Sequence, residues 1–281
     1  MTATLATEPG TAPERPPAAH SGKLVSDVLV LTRRNLLHMV RSPFEPGIAI
    51  VMPVVMVLLF GFLFDEVMSG HGGGNYREFL VPAMLAMVMV YGVSGSANGT
   101  ARDVSREVMG RFRSMPMSPV ALLTARTAAD MVRACLEIAV LVPVGLLLGW
   151  RAGNGLAGAA LAIGLLLLFR LSLVWLGVLM GLLVPDPEAS GMIVYPLAFP
   201  LTMLSTAFLP AGAMPSWMAP VAEWNPLSAV VSTLRDLFGS PGVPADSWPA
   251  EHAGLLAVAV PALLLVLCVP LAVRRFRSLS R

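Results

Sequence analysis

An all-α polytopic membrane protein with six transmembrane helices is the fold class that three observations predict. Hydrophobic residues make up 56% of the 281-residue chain and charged residues 13%, against roughly 25% charged in ordinary soluble domains. The mean hydropathy is +0.75, and the apolar residues come in runs of the length a helix needs to cross a bilayer, about 20 residues. Finally, fifteen of the nineteen basic residues fall on one side of the membrane if the chain crosses six times with both termini cytoplasmic, as the positive-inside rule requires.

Residues 1–22 are rich in Pro, Ala and Thr. They lack the apolar core of a secretory signal and read as a disordered cytoplasmic tail. Residues 23–46 hold an amphipathic interfacial helix. Lys23, Asp27, Arg34, His38 and Arg41 favour one face, and Val25, Val28, Leu29, Leu36, Met39 and Val40 the other, so that the basic side meets the headgroups. Pro43 and Pro46 end it. A transmembrane domain over residues 47–273 follows, with spans expected at 47–64, 79–100, 131–150, 155–184, 191–209 and 253–273. The far end of the second span is built from small residues, Gly92 to Gly99, that permit close helix packing. Residues 274–281, with Arg274, Arg275, Arg277 and Arg281, form a basic cytoplasmic tail.

The segment between the fifth and sixth spans carries its own signals. Asn225 is a good N-cap with Pro226 at the first helical position. Leu227, Val230, Val231, Leu234, Leu237 and Phe238 make an apolar face, and Gly239 ends the helix. Trp217, Trp224 and Trp248 suit the headgroup level, so external re-entrant helices are expected here, dipping into the outer leaflet without crossing it. Among the basic residues, Arg77, Arg151 and Arg235 lie outside, and Arg170 lies within the fourth span.

Between the second and third spans lies a polar island, Arg102 to Pro119, with almost uncharged flanks. Arg102, Arg106 and Arg113 recur at spacings of four and seven and share a helix face. Val104, Val108 and Phe112 make an apolar stripe that a partner can cover. Pro116 and Pro119 then stop helix propagation. A cytoplasmic helix ending in a rigid turn and tied at both ends to spans is a mechanical lever. The same arginines also fit a plainer role, in which they only orient the chain in the bilayer.

No G-x-x-x-x-G-K-[ST] loop, H-E-x-x-H, G-x-S-x-G or cluster of His and Cys ligands occurs, so neither a nucleotide site nor a cofactor is expected in this chain. Cys135 and Cys268 both sit inside apolar runs and indicate no disulfide framework. Two ionisable groups fall within spans. Glu137 lies one turn beyond Arg133, an i,i+4 pair. Arg170 sits near the middle of the fourth span, where a charge costs at least ~2.5–3.5 kcal/mol. It must face the protein interior or a wet cavity. Either it binds backbone carbonyls near the prolines of the fifth span, or it lines a substrate path.

The stretch Arg111-Phe112-Arg113-Ser114-Met115-Pro116-Met117-Ser118-Pro119, with Leu122, Ala125-Arg126 and Asp130 after it, resembles the cytoplasmic loop of ABC type-2 transporter permeases. The resemblance is strongest to the daunorubicin/doxorubicin-resistance group of exporter membrane subunits. Met214-Pro215-Ser216-Trp217, Asn225-Pro226-Leu227 and Arg235 are similar to that group's external segment before the last span. The resemblance implies a permease in the cell's inner (plasma) membrane, exporting an amphipathic drug-like or lipid substrate. Energy would come from a separate ABC ATPase, two copies of which hold ATP and Mg and act on a permease homodimer or related heterodimer. No nucleic acid is implied. Contacts with the ATPase would fall on Arg34, Arg41, Arg102, Arg106, Val108, Arg111, Phe112, Arg113, Met115 and Pro116. The candidates for the substrate path are Arg170, Asn98, Ser94, Tyr195 and Met203. Polysaccharide or glycolipid export by the same fold is an alternative. So is a secondary transporter or intramembrane enzyme using Glu137 and Arg170, although repeated halves and several intramembrane acids would then be expected.

Overall fold

The computed structural model describes residues 30, 32, 33, 37, 47, 51–60, 62, 76–105, 119–184, 186–240 and 247–279. Among these, all regular structure is helical. The elements are α1 (Val51–Phe60), α2 (Tyr76–Tyr91), α3 (Val93–Ser105), α4 (Pro119–Leu147), α5 (Gly155–Leu183) and α6 (Pro187–Met203). A 3-10 turn at Ala211–Ala213 precedes α7 (Ala219–Glu223), α8 (Pro226–Phe238), α9 (Trp248–Glu251) and α10 (Ala253–Leu279). Three helices are long and apolar enough to cross a membrane: Tyr76–Ser105 taken as α2 with α3, then α5, then α10. The 29-residue α4 matches α5 in length, but Asp130, Arg133 and Glu137 interrupt its apolar run.

Helix α2 is the hub. Every residue from Leu80 to Val90 is buried, as a helix that is apolar all round requires. The chain then breaks at Gly92 and resumes as α3. Two glycines of α5, Gly177 and Gly181, admit α3: a Cβ at 177 would lie 2.8 Å from the Val93 carbonyl oxygen. This close backbone approach is how small residues bring membrane helices together. Outside the hub, α10 packs along α5 through Val174, Val178 and Leu182 against Cys268, Ala272 and Phe276.

Several helix limits differ from the expected spans, each for a local reason. The second span is two helices with Gly92 between them. The third begins at Pro119, because one unbroken helix runs from there into the span. The fourth stops at Leu183, with Val184 as an extended C-cap. The fifth starts at Pro187, where Asp186 caps it by accepting from the Glu188 amide at 3.0 Å. It ends at Met203, although apolar residues continue, because the Asn225 side chain donates 2.7 Å bonds to the last-turn carbonyls of Leu201 and Leu204. The sixth continues through Arg274, Arg275 and Arg277 to Leu279. Cations suit the negative end of a helix, and residues 274–279 continue α10 as helix.

The segment between α6 and α10 takes the helix limits its local signals indicate. Asn225 accepts from the Leu227 amide at 2.9 Å, Pro226 opens α8, and Gly239 closes it at φ 70°, a left-handed conformation that glycine adopts without strain. Trp217, Trp224 and Trp248 are all more than half exposed. Helix α8 seats its apolar face on the bundle and is pinned by Arg235, for which the sequence offers a side of the membrane but no partner. Its guanidinium is 2% exposed, lies 3.4 Å over the Phe79 ring, and donates to the carbonyls of Phe79, Thr206 and Ala207 at 3.0–3.1 Å. Burial pulls this group down to about 9, so it stays cationic near neutral pH.

Candidate functional site

The charged residues of α4 fall at positions 126, 130, 133 and 137. Spacings of four, three and four put them on one helix face. That face meets a notched face of the second span. Gly92 and Gly99 leave room for the guanidiniums of Arg170 and Arg126: any side chain at either position would overlap them. A Cβ at Gly95 would stand 3.3 Å from Arg133 Nη1. Three glycines thus receive three arginines.

Arg170 enters from α5 and is completely buried. Its Nε donates to Asp130 Oδ2 at 3.0 Å and its Nη2 to Asp130 Oδ1 at 3.2 Å, a bidentate pair of the kind only arginine makes. Its Nη1 donates to the carbonyls of Met89 (3.1 Å) and Val88 (3.4 Å) in the last turn of α2. Carbonyls in a helix's last turn are natural cation acceptors; that of Val88 also accepts the Gly92 amide at 3.2 Å. The backbone acceptors therefore belong to the second span and not to the fifth. Asp130 was missed as the partner, because the 40 residues separating it from Arg170 carry no local pattern.

Glu137 is 2% exposed. Its Oε1 accepts from Arg133 Nε at 3.0 Å, the i,i+4 pair its spacing predicts. Its Oε2 lies 3.9 Å from Arg170 Nη1 and has no hydrogen-bond partner among the described residues. Nearer the loop, Arg126 pairs with Asp103 of α3 through Nη1, while its Nε is also without a hydrogen-bond partner among them. The pair joins the two helices from which the polar island departs.

Of the expected coupling residues, Arg102 lies in the last turn of α3 and is exposed. Arg34, Arg41, Arg106, Val108, Arg111, Phe112, Arg113, Met115 and Pro116 lie outside the described residues. The interfacial segment and the loop root do meet: Thr32 Oγ1 donates to the Ala125 carbonyl at 3.3 Å. Of the expected path residues, Asn98 accepts from Ser190 Oγ at 3.2 Å. With Arg102, Ser105, Asp186, Pro187 and Glu188 it lines a cavity of about 320 Å³. Ser94 donates to the Tyr91 carbonyl at 3.0 Å. Tyr195 and Met203 lie at the surface of α6, 56% and 38% exposed. Arg170 is not brought to that surface.

A helical bundle with three helices long and apolar enough to cross a membrane has the build of an integral membrane protein. Residues 26–238 match the model of the ABC-2 type transporter family, and the chain belongs to that family. The match ends at the last residue of α8. Over 275 residues the chain is 29% identical to the daunorubicin resistance ABC transporter permease protein DrrB1 of Streptomyces coeruleorubidus, spanning 95% of this chain and 91% of that one. It is 25% identical over 214 residues to the doxorubicin resistance ABC transporter permease protein DrrB of Mycobacterium tuberculosis H37Rv, 72% of each chain. Permeases of this family work with ABC ATPase partners.

Proposed function

We propose that this chain is the membrane-spanning subunit of an ATP-driven exporter that moves an amphipathic drug-like or lipid substrate out of the cell. The observation that carries the reading is the relationship across 95% of the chain to a daunorubicin resistance permease, together with the family match over residues 26–238. In this reading six spans cross the inner membrane with both termini cytoplasmic. Two ATPase subunits, holding ATP and Mg, dock on the interfacial segment and on residues 102–116. Two permeases, alike or related, face each other across the path. Ser94, Asn98, Tyr195 and Met203 line it. Arg170, closed off in this arrangement, reaches it only when the helices around it move.

The lone chain should hydrolyse no ATP, and turnover should appear when a cognate ATPase subunit is added to the reconstituted protein. Vigorous hydrolysis by the chain alone, with contaminants excluded, sinks the reading. So does a permease that gives no transport with any ATPase encoded beside it.

A further inference from the structure

Among the described residues, the seam between α3, α4 and α5 holds two charged side chains that each keep one atom without a hydrogen-bond partner, one on each side of a satisfied pair. Arg170 grips Asp130 with two bonds. On one side stands Glu137 Oε2, buried, unpartnered and 3.9 Å from Arg170 Nη1. On the other stands Arg126 Nε, also unpartnered and one helical turn from Asp130, whose carboxylate already acts on Arg126 electrostatically. An unpaired buried polar atom is expensive, and native interiors hold few of them. Here one shift satisfies both. If α4 moves along its axis toward the loop, Glu137 closes on Arg170 and Asp130 is released to Arg126, its i,i+4 neighbour. Reaching hydrogen-bond distance from 3.9 Å takes a movement of about 1 Å, within the 1–2 Å helix shifts of known switches.

We propose that Arg170 is a two-position latch, held by Asp130 in the arrangement seen and by Glu137 in a second one. Arg126 is the resting place of the released Asp130. The notch at Gly92 lets the guanidinium pivot without leaving the carbonyls of Val88 and Met89. The latch lies where a force on the loop arrives: α4 emerges from the polar island, and Asp103 with Arg126 ties its start to α3. That the loop drives the latch rests on the permease reading above. The existence of two positions does not.

The test is a double-mutant cycle on the melting temperature of the detergent-solubilised chain alone, followed by ATP turnover of the reconstituted complex. Glu137→Gln keeps an acceptor for Arg133 and removes the charge that Arg133 and Arg170 share; the Arg133 part is common to both backgrounds and cancels in the cycle. In the wild type it should lower melting only slightly, since that oxygen faces Arg170 at 3.9 Å without a hydrogen bond. In an Asp130→Asn background, where Arg170 has moved to Glu137, the same change should lower melting by several degrees. Equal effects in both backgrounds overturn the latch, whatever the ATPase does. Should Asp130→Asn not yield folded protein, Asp130→Ser serves as the background. In the complex, Glu137→Gln should cut turnover roughly tenfold, the worth of one charge-assisted bond, while Asp130→Asn should raise the unstimulated rate. Wild-type turnover in a normally melting Glu137→Gln complex also overturns it. A wild-type complex with no turnover counts against the permease reading, and the melting cycle still decides the latch.

Discussion

A methyl group at position 92 would occupy the space that the Arg170 guanidinium now fills. Gly92→Val should therefore drive Arg170 off both helix carbonyls and strain its pair with Asp130. Breaking a buried ion pair costs about 3–5 kcal/mol, so the variant should lose much of its folded yield and melt far lower. Gly164→Val, in α5 where nothing lies within 4 Å of the added carbon, should melt like the wild type. Similar losses in both variants would show that only glycine content matters and that the notch has no special role. The contrast between neighbouring charges explains what could be read in advance. Arg133 and Glu137 are four apart on one helix, so their bond is legible from spacing. Arg170 announces only that it needs partners. Asp130 and the carbonyls of Val88 and Met89 are set by tertiary packing, which leaves no trace at any fixed offset.

Local signals did carry whole elements. Asn225, Pro226 and Gly239 delimit α8 because capping is decided by groups within a few residues. The end of α6 was not legible, since the donor that completes its last turn is Asn225, more than twenty residues away. Nor was the extent of α10, because hydropathy marks where the bilayer ends and not where helical hydrogen bonding ends. In the proposed reading the polar island is the element on which function most depends. If it docks on the ATPase, Phe112→Ala removes an aromatic anchor, a kind that commonly carries ~2 kcal/mol or more at interfaces. Arg113→Glu reverses a charge that complements an acidic partner surface. Both should sharply reduce co-purification of the ATPase while leaving membrane insertion intact. If the island only orients the chain, both variants will recover the ATPase normally.

At the scale of the molecule, burial falls from the hub outward. In the spanning stretch of α2 and α3, 72% of residues are buried inside the protein, against 22% for α10. The described residues therefore leave most of the last helix's spanning surface uncovered. The charge distribution sets how this bundle sits. In a chain with Cys135→Ser and Cys268→Ser, a cysteine replacing Trp217 should react with an impermeant maleimide added to intact cells. One replacing Ser278 should react only after the cells are opened. The reverse pattern would invert the whole topology, and the proposed ATPase contacts with it.

The order in which the chain is made gives the arginine partnerships another consequence. Asp103 precedes Arg126; Val88, Met89, Asp130 and Glu137 all precede Arg170; and Phe79, Thr206 and Ala207 all precede Arg235. Synthesis runs from the N-terminus, so each of these cations emerges from the ribosome after the groups that will hold it. A charge delivered to the bilayer ahead of its acceptors would have to wait in hydrocarbon or be left outside. For Arg126, Arg170 and Arg235 the acceptors are already in place.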